Sequence, residues 1–319
     1  MNILFLLPRY HTNIIETIKV HIKLGHNVEM HVKTFGAVED YSIIKPIKFQ
    51  ESFLTKYLKN IFKINTINNS FYLPSLIKYY FYLKRSNHNY AIIRVHGILY
   101  TYVISLILSL CKIKIIYYQQ TNINLKFLEK NNYLLNLRKF EFFFRLKVFN
   151  AKWVSPLKNE NYNIKTKNIF YLPFVVKIKK NKLNISNLNI LTVGKFVKRK
   201  NQLLLLESIS SFIKIYNIKI TIVGEVSNGV HEKYLKKIED FVEINNLKKY
   251  VFIKKNVHHN KMNYYYSQNN LFVLPATQEP ASIALLEAMG SGLPCICSDT
   301  CGTKTYIRDG FNGFTFEDN

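Results

Sequence analysis

Short runs of apolar and β-branched residues recur along this chain, spaced by stretches of helical periodicity. That alternation limits the folds open to it. Ile3–Leu7, Val28–Val32, Ala91–Val95 and Lys114–Tyr118 read as strands. The stretch Asn13–Gly25 reads as a helix that ends where a C-terminal glycine belongs. The uncharged stretch Ile98–Cys111 reads as another, too short for a bilayer span of about 20 residues. The pattern restarts at Asn189–Val193 and runs on through Lys219–Val223, Val251–Ile253, Leu271–Leu274 and Pro294–Ser298. Between these, helices are expected at Leu203–Ile215, His231–Asn245, Asn263–Gln268 and Ser282–Ser291. Strands spaced by helices imply βαβ units and parallel sheets. A Lys- and Asn-rich linker, Val176–Asn187, separates the two series. The 319 residues are therefore expected to form two doubly wound α/β domains, residues 1–178 and 179–319.

Charge comes next, because 45 Lys and Arg stand against 20 Asp and Glu, a net +25. Such a field draws phosphate, whether on a nucleotide, an anionic lipid or a nucleic acid. Lys, Asn, Ile, Tyr and Phe share A/T-rich codons, so biased coding accounts for part of the excess. Two stretches combine the charge with aromatic residues. Phe53–Tyr90 carries Lys56, Lys59, Lys63, Lys78, Lys84 and Arg85; Tyr133–Phe149 carries Arg138, Lys139, Arg145 and Lys147 beside Phe140, Phe142, Phe143 and Phe144. Helices of this kind either lie on anionic membranes or pack on a sheet with a solvated basic face. Met1–Pro8 lacks a basic leader and a small-residue cleavage site, and reads as a buried first strand. The four cysteines do not make a disulfide framework. Cys295 and Cys297 alternate like strand core residues and, with Cys301, lack zinc-type spacing. A reducing cytoplasm suits them. No Asp-x-Asp pair occurs, so metal use is not expected.

The chemistry is concentrated between Leu274 and Gly313. A strand ends at Leu274, a loop holds Glu279, and a helix opening near Ser282 contains Glu287. A strand–loop–helix turn at the carboxyl edge of a parallel sheet is where such folds bind ligands. The free N–H groups around Ser282, Ile283 and Ala284, with the helix dipole, suit a phosphate. Either carboxylate can accept from paired hydroxyls, as on ribose or a sugar. The run Gly194-Lys195-Phe-Val-Lys-Arg-Lys200-Asn201 follows another strand, and Lys195 and Lys200 can neutralise a diphosphate.

These segments resemble the retaining GT-B glycosyltransferases of glycosyltransferase family 4, the group 1 glycosyltransferases. Glu279–Glu287 is similar to the family's E-x7-E motif, and Glu287–Pro294 to its E-A-M-A-x-G-x-P run. Asp309–Phe314 resembles its D-G-x-N-G turn, and Gly194–Lys200 its diphosphate loop. The resemblance covers nearly all of residues 188–319 and residues 1–178 loosely. It implies a GT-B fold: two Rossmann-like domains with a cleft between them, the second incomplete, because the chain ends short of the family's usual C-terminal helices. It implies a catalytic set of Glu279, Lys200, Lys195 and His96. Glu279 would hold the donor sugar, and Lys195 and Lys200 the leaving diphosphate. The strand-end His96 would touch sugar or acceptor, with His11 facing the same cleft. Glu287 would bind the ribose, with Gly194, Ser282, Ile283 and Ala284 completing the nucleotide site. The departures are Lys195 for an Arg, Ala281-Ser282 for Phe-Gly, Thr305 for a Glu, and a first loop without glycine.

The activity implied is sugar transfer from a nucleoside-diphosphate sugar to a glycan or lipid-linked acceptor with retention, in surface polysaccharide biosynthesis. No cofactor or metal is implied. The expected partners are the donor, the acceptor and an anionic membrane surface at the inner face, and not nucleic acid. A GT-B sugar-nucleotide epimerase, or a non-catalytic basic binder of anionic lipid or nucleic acid on the same scaffold, remains open at this point.

Overall fold

The structure, a computed structural model, describes residues 1–9, 12–35, 41–48, 76–94, 98–119, 133–156, 168–179, 187–279 and 281–318. These fall into two compact units that divide between Pro173 and Phe174. His11, His96, residues 53–75 of the first basic stretch and residues 180–186 of the linker lie outside the described residues.

The first unit holds β1 (Asn2–Arg9), α1 (Thr12–Lys23), β2 (Asn27–Thr34), β3 (Ile47–Lys48), α2 (Leu76–Arg85), β4 (Tyr90–Arg94) and α3 (Ile98–Leu110). It continues with β5 (Lys114–Tyr118), α4 (Tyr133–Val148), β6 (Lys152–Ser155) and β7 (Ile169–Tyr171). Its seven strands form one sheet in the order β3-β2-β1-β4-β5-β6-β7, every pairing parallel. Right-handed crossovers put α2, α3 and α4 on one face of that sheet and α1 on the other. The core agrees: Tyr79 and Leu83 of α2, Ile104 and Leu108 of α3, and Phe142 and Leu146 of α4 share one cluster with Leu4, Ile93, Ile115 and Trp153.

One expectation needs correcting here. Arg145 does not belong to the basic face of α4. It is buried, with its guanidinium 5.1 Å from the Tyr117 ring centroid and 5.9 Å from that of Trp153, and Glu141 accepts from it one helical turn back. Cation–π contact and a local carboxylate let the charge sit inside. Among the described residues, no helix is long and apolar enough to cross a membrane.

The second unit holds β8 (Asn189–Val193), α5 (Gln202–Ile215), β9 (Lys219–Gly224), α6 (Gly229–Ile244), β10 (Val251–Lys255) and α7 (Met262–Gln268). β11 (Leu271–Leu274), α8 (Ile283–Gly290), β12 (Cys295–Ser298) and β13 (Gly313–Phe316) complete it. Its six strands run in the order β10-β9-β8-β11-β12-β13, again all parallel. The chain enters along α8, where Lys179 N–H donates to the Gly290 carbonyl at 2.7 Å.

The helices end alike. In every α-helix of the described residues except α7, the residue two past the helical end has positive φ: Gly25, Asn87, Lys112, Asn150, Asn217, Asn246 and Gly292. At six of these ends the next N–H donates back five residues, as from Ile113 to Leu108 and from Ala151 to Leu146, both at 2.9 Å. This is the Schellman closure, which meets carbonyls that the helix leaves unpaired. Asparagine stands at four of the seven positions because, glycine apart, it tolerates the left-handed region best.

Candidate functional site

In the second sheet the strand order reverses between β8 and β11, and two loops leave the carboxyl ends of these neighbouring strands. The first, residues 194–201, is anchored from beneath. Phe196 is fully buried, and a Cβ on Gly224 would stand 2.4 Å from its ring and 2.7 Å from the Gly194 carbonyl. Only glycine at 224 leaves that space. The Gln202 side-chain amide donates to the Lys195 carbonyl at 3.0 Å, and a single 3₁₀ turn, Lys198–Lys200, closes at left-handed Asn201. The second loop, residues 275–282, is tied to the first: Thr277 N–H donates to the Arg199 carbonyl at 3.0 Å.

Side chains continue the junction. Arg199 Nη1 and Lys200 Nζ both donate to Glu279 Oε2 at 2.6 Å. Glu279 is buried, Lys200 nearly so and Arg199 half exposed, so the cluster opens to solvent on the arginine side. The Glu279 carbonyl accepts from Gly302 N–H at 2.8 Å, which fixes the residue at its backbone. Lys195 points outward, with its Nζ 3.2 Å from Glu225 Oε2.

Beside Glu279, Ser282 caps α8 by accepting from Leu285 N–H at 3.3 Å. The N–H groups of Ile283 and Ala284 belong to the same first turn, with the positive end of the helix dipole behind them. Glu287 sits one turn further. Its Oε1 is 2.7 Å from His259 Nε2, and its Oε2 accepts from Tyr266 OH at 2.8 Å. Tyr266 is buried. Burial first, then the charge of Glu287 and its hydrogen bond, hold the phenol far above its ordinary value, so it stays a proton donor. His259 and Tyr266 come from the connection between β10 and β11. They hold a carboxylate that a bare helix surface would leave to rotate.

Of the residues expected from the sequence, Gly194, Lys195, Lys200, Glu279, Ser282, Ile283, Ala284 and Glu287 all stand on this unit, at or just beyond the carboxyl edge of its sheet. His96 and His11 lie outside the described residues. Four participants were not anticipated: Arg199, Glu225, His259 and Tyr266. Arg199 stood in plain view inside the basic run. Its spacing does not single it out from Lys195 and Lys200, and only the 3₁₀ turn sends 199 and 200 to the same oxygen.

Cys295, Cys297 and Cys301 are buried, as a strand-core reading requires, and burial pushes the Cys295 thiol up to about 12. Among the described residues, no three His, Cys, Asp or Glu side chains are grouped as a metal site.

Residues 176–319 match the family described as glycosyl transferases group 1. A glycosyltransferase of Haemophilus influenzae, described as uncharacterized, is 31% identical over 147 residues, covering 44% of this chain and 38% of that protein. A UDP-Gal:alpha-D-GlcNAc-diphosphoundecaprenol alpha-1,3-galactosyltransferase of Escherichia coli is 41% identical over 49 residues, covering 15% of this chain and 13% of that protein. The chain thus spans well under half the length of these curated relatives. Among solved structures, Anabaena HepE in complex with UDP and glucose has a TM-score of 0.68 at 12% identity, covering 98% of this chain and 85% of that one. At that identity the likeness concerns the fold, the GT-B fold with its two parallel α/β sheets.

Proposed function

We propose, from the match of residues 176–319 to the group 1 glycosyltransferases, that the chain moves a sugar from a nucleoside-diphosphate sugar to a glycan or lipid-linked acceptor with retained configuration. The observation that carries this reading is the convergence of Arg199 and Lys200 on Glu279 next to a capped helix N-terminus. It sets cations, a carboxylate and aimed N–H groups on one short edge.

Each group takes a role in the proposal. Lys195, Arg199, Lys200 and the N–H groups of Ile283 and Ala284 neutralise the diphosphate as it leaves, where preorganised charge is worth most. Both cations hold Glu279 by one oxygen, so Oε1 accepts from the donor sugar. Glu287, kept in place by His259 and Tyr266, accepts from the ribose hydroxyls. The leaving diphosphate takes the acceptor's proton on the face it departs from, which retains the configuration. Uridine is the proposed base, since the E. coli relative uses UDP-Gal and the HepE structure holds UDP. A lipid-linked sugar diphosphate is the proposed acceptor by the same comparison, in surface polysaccharide synthesis. Four free thiols suit a reducing, cytoplasmic setting.

The test is calorimetric titration of UDP into the full chain without metal, beside Glu287→Ala. Micromolar affinity, weakened at least tenfold by the substitution, is the expected result. No heat with the parent chain sinks the reading. Turnover of a UDP-sugar panel with a lipid-diphosphate acceptor then separates transfer from acceptor-independent isomerisation.

A further inference from the structure

The three helices on one face of the first sheet are in register with each other, and the register builds a surface. Each of α2, α3 and α4 leads into the next strand, and each is followed, two residues past its end, by a residue with positive φ: Asn87, Lys112 and Asn150. Counting back from these residues therefore gives height along three parallel helices. Four back stand Leu83, Leu108 and Leu146, all buried. Six back stand Phe81, Leu106 and Phe144, exposed by 51%, 54% and 48%. The same level thus has a large apolar side chain facing solvent on all three helices. A turn above, Ile77 of α2 and Phe140 of α4 are more exposed still, and Phe140 stacks on Phe144 at 5.8 Å.

The helices are neighbours in that order. Cys111, just past α3, donates its thiol to the Tyr80 carbonyl of α2 at 3.8 Å, and the Tyr102 ring of α3 lies 5.9 Å from that of Phe149, just past α4. The apolar level is therefore a band across the layer.

Below the band the surface is basic. Lys84, Arg85, Lys112 and Lys147 are exposed at or just past the helix ends. No acid occurs in α2 or α3, and the one acid of α4, Glu141, is bound to Arg145. The imbalance extends to the whole unit: residues 1–173 carry 25 Lys and Arg against 8 Asp and Glu, and residues 174–319 carry 20 against 12.

We propose that this three-helix face seats the first unit on an anionic lipid bilayer, with Phe81, Leu106 and Phe144 entering the headgroup–acyl boundary and the basic rim meeting lipid phosphates. Aromatic and leucine side chains level with one another, edged by long cations, fit a planar interface that is apolar on one side and negatively charged on the other. A protein partner of matching shape would need acids at the rim and a socket for each ring. A bilayer supplies both contacts without either. The inference rests on helix register and charge and does not depend on the transferase reading.

The experiment is co-sedimentation of the full chain with large unilamellar vesicles of phosphatidylcholine alone and of phosphatidylcholine with phosphatidylglycerol. The comparison protein is Phe81→Ser/Leu106→Ser/Phe144→Ser, whose exposed sites leave the core intact, as far-ultraviolet circular dichroism and UDP titration will check. Expected are binding to the anionic vesicles only, weakening with salt, and at least a tenfold lower partition for the triple variant. A second variant, Lys84→Gln/Arg85→Gln/Lys147→Gln, should lose the salt dependence. The proposal is overturned if the parent chain ignores anionic vesicles or the triple variant partitions like the parent. It is equally overturned if sedimentation equilibrium shows a dimer that the triple variant dissolves, which would assign the band to a second copy of the chain.

Discussion

The two units share a topology and differ in what they do with charge. Both sheets reverse strand order once, between β1 and β4 in the first and between β8 and β11 in the second. In the second unit the reversal gathers cations and carboxylates into pairs: Lys195 with Glu225, and Arg199 and Lys200 with Glu279. In the first, the described residues near the reversal include Arg94, whose guanidinium burial pulls below its ordinary value. The dense titratable group there lies elsewhere. Glu29 accepts from His31 and Tyr82 and stands 3.6 Å from His88, holding β2 to α2 and the turn after it. The same fold thus pairs charge at a sheet edge in one unit, and spreads it over helix ends and one packing network in the other. Topology supplies the edge; only the residues on the two loops decide whether it becomes a site.

The comparison breaks most directly at Glu279. Glu279→Gln should lower turnover about a hundredfold, the scale of losing one preorganised charge partner, as measured by UDP release with acceptor present. Glu29→Gln in the other unit should leave turnover unchanged. If both variants lose activity alike, the division of labour is wrong. Next comes Gly224→Ala, which forces Phe196 out of its seat and should cost about 2 kcal/mol in a denaturant titration, and UDP affinity with it.

Acid titration sharpens the contrast from the other side. Burial pushes the Glu29 carboxyl up, but hydrogen bonds from His31, His88 and Tyr82 outweigh it and hold the group well below its ordinary value near 4.5. A depressed folded value means that its stabilisation is complete above about pH 4.5 and drains as pH falls below that. The melting temperatures of parent and Glu29→Gln should therefore differ most at pH 7, and the gap should narrow steadily as pH falls below about 4.5. The smallest effect is expected at Lys112, the one helix-closing residue that is neither Gly nor Asn. Lys112→Gly should raise stability by about 1 kcal/mol, while Asn150→Gly at the matching position of α4 should change it much less.

Most of the fold was legible because the interior strands are continuous apolar runs, buried on both faces as parallel sheets require. The four strands that the sequence does not mark are all short; three are sheet edges and the fourth, Lys152–Ser155, lies next to one. Lys152–Ser155 has only two apolar residues between polar ends, Ile169–Tyr171 is three residues long, and Gly313–Phe316 hides inside a turn motif. Ile47–Lys48 is two residues long and carries no pattern at all. The carboxylates and lysines of the candidate site were legible from spacing within one loop and one helix. His259 and Tyr266 were not, because they reach Glu287 from 28 and 21 residues away. A faint signal existed: Met262 and Tyr266 are spaced four apart on the buried side of α7, and a buried phenol needs an acceptor.

The helix closures carry a consequence for how such a chain drifts. A genome that pushes codons toward A and T erodes glycine and enriches asparagine, and this sequence has only 11 glycines in 319 residues. Helix ends would ordinarily suffer first from that loss. Because asparagine enters the left-handed region at modest cost, those ends are the positions where the two residues are most nearly synonymous. Asparagine closes α2, α4, α5 and α6. Gly224 stands where no side chain fits. The two demands on glycine thus separate in this chain: asparagine and glycine both serve where a left-handed backbone angle closes a helix, whereas Gly224 meets a demand for empty space that asparagine could not.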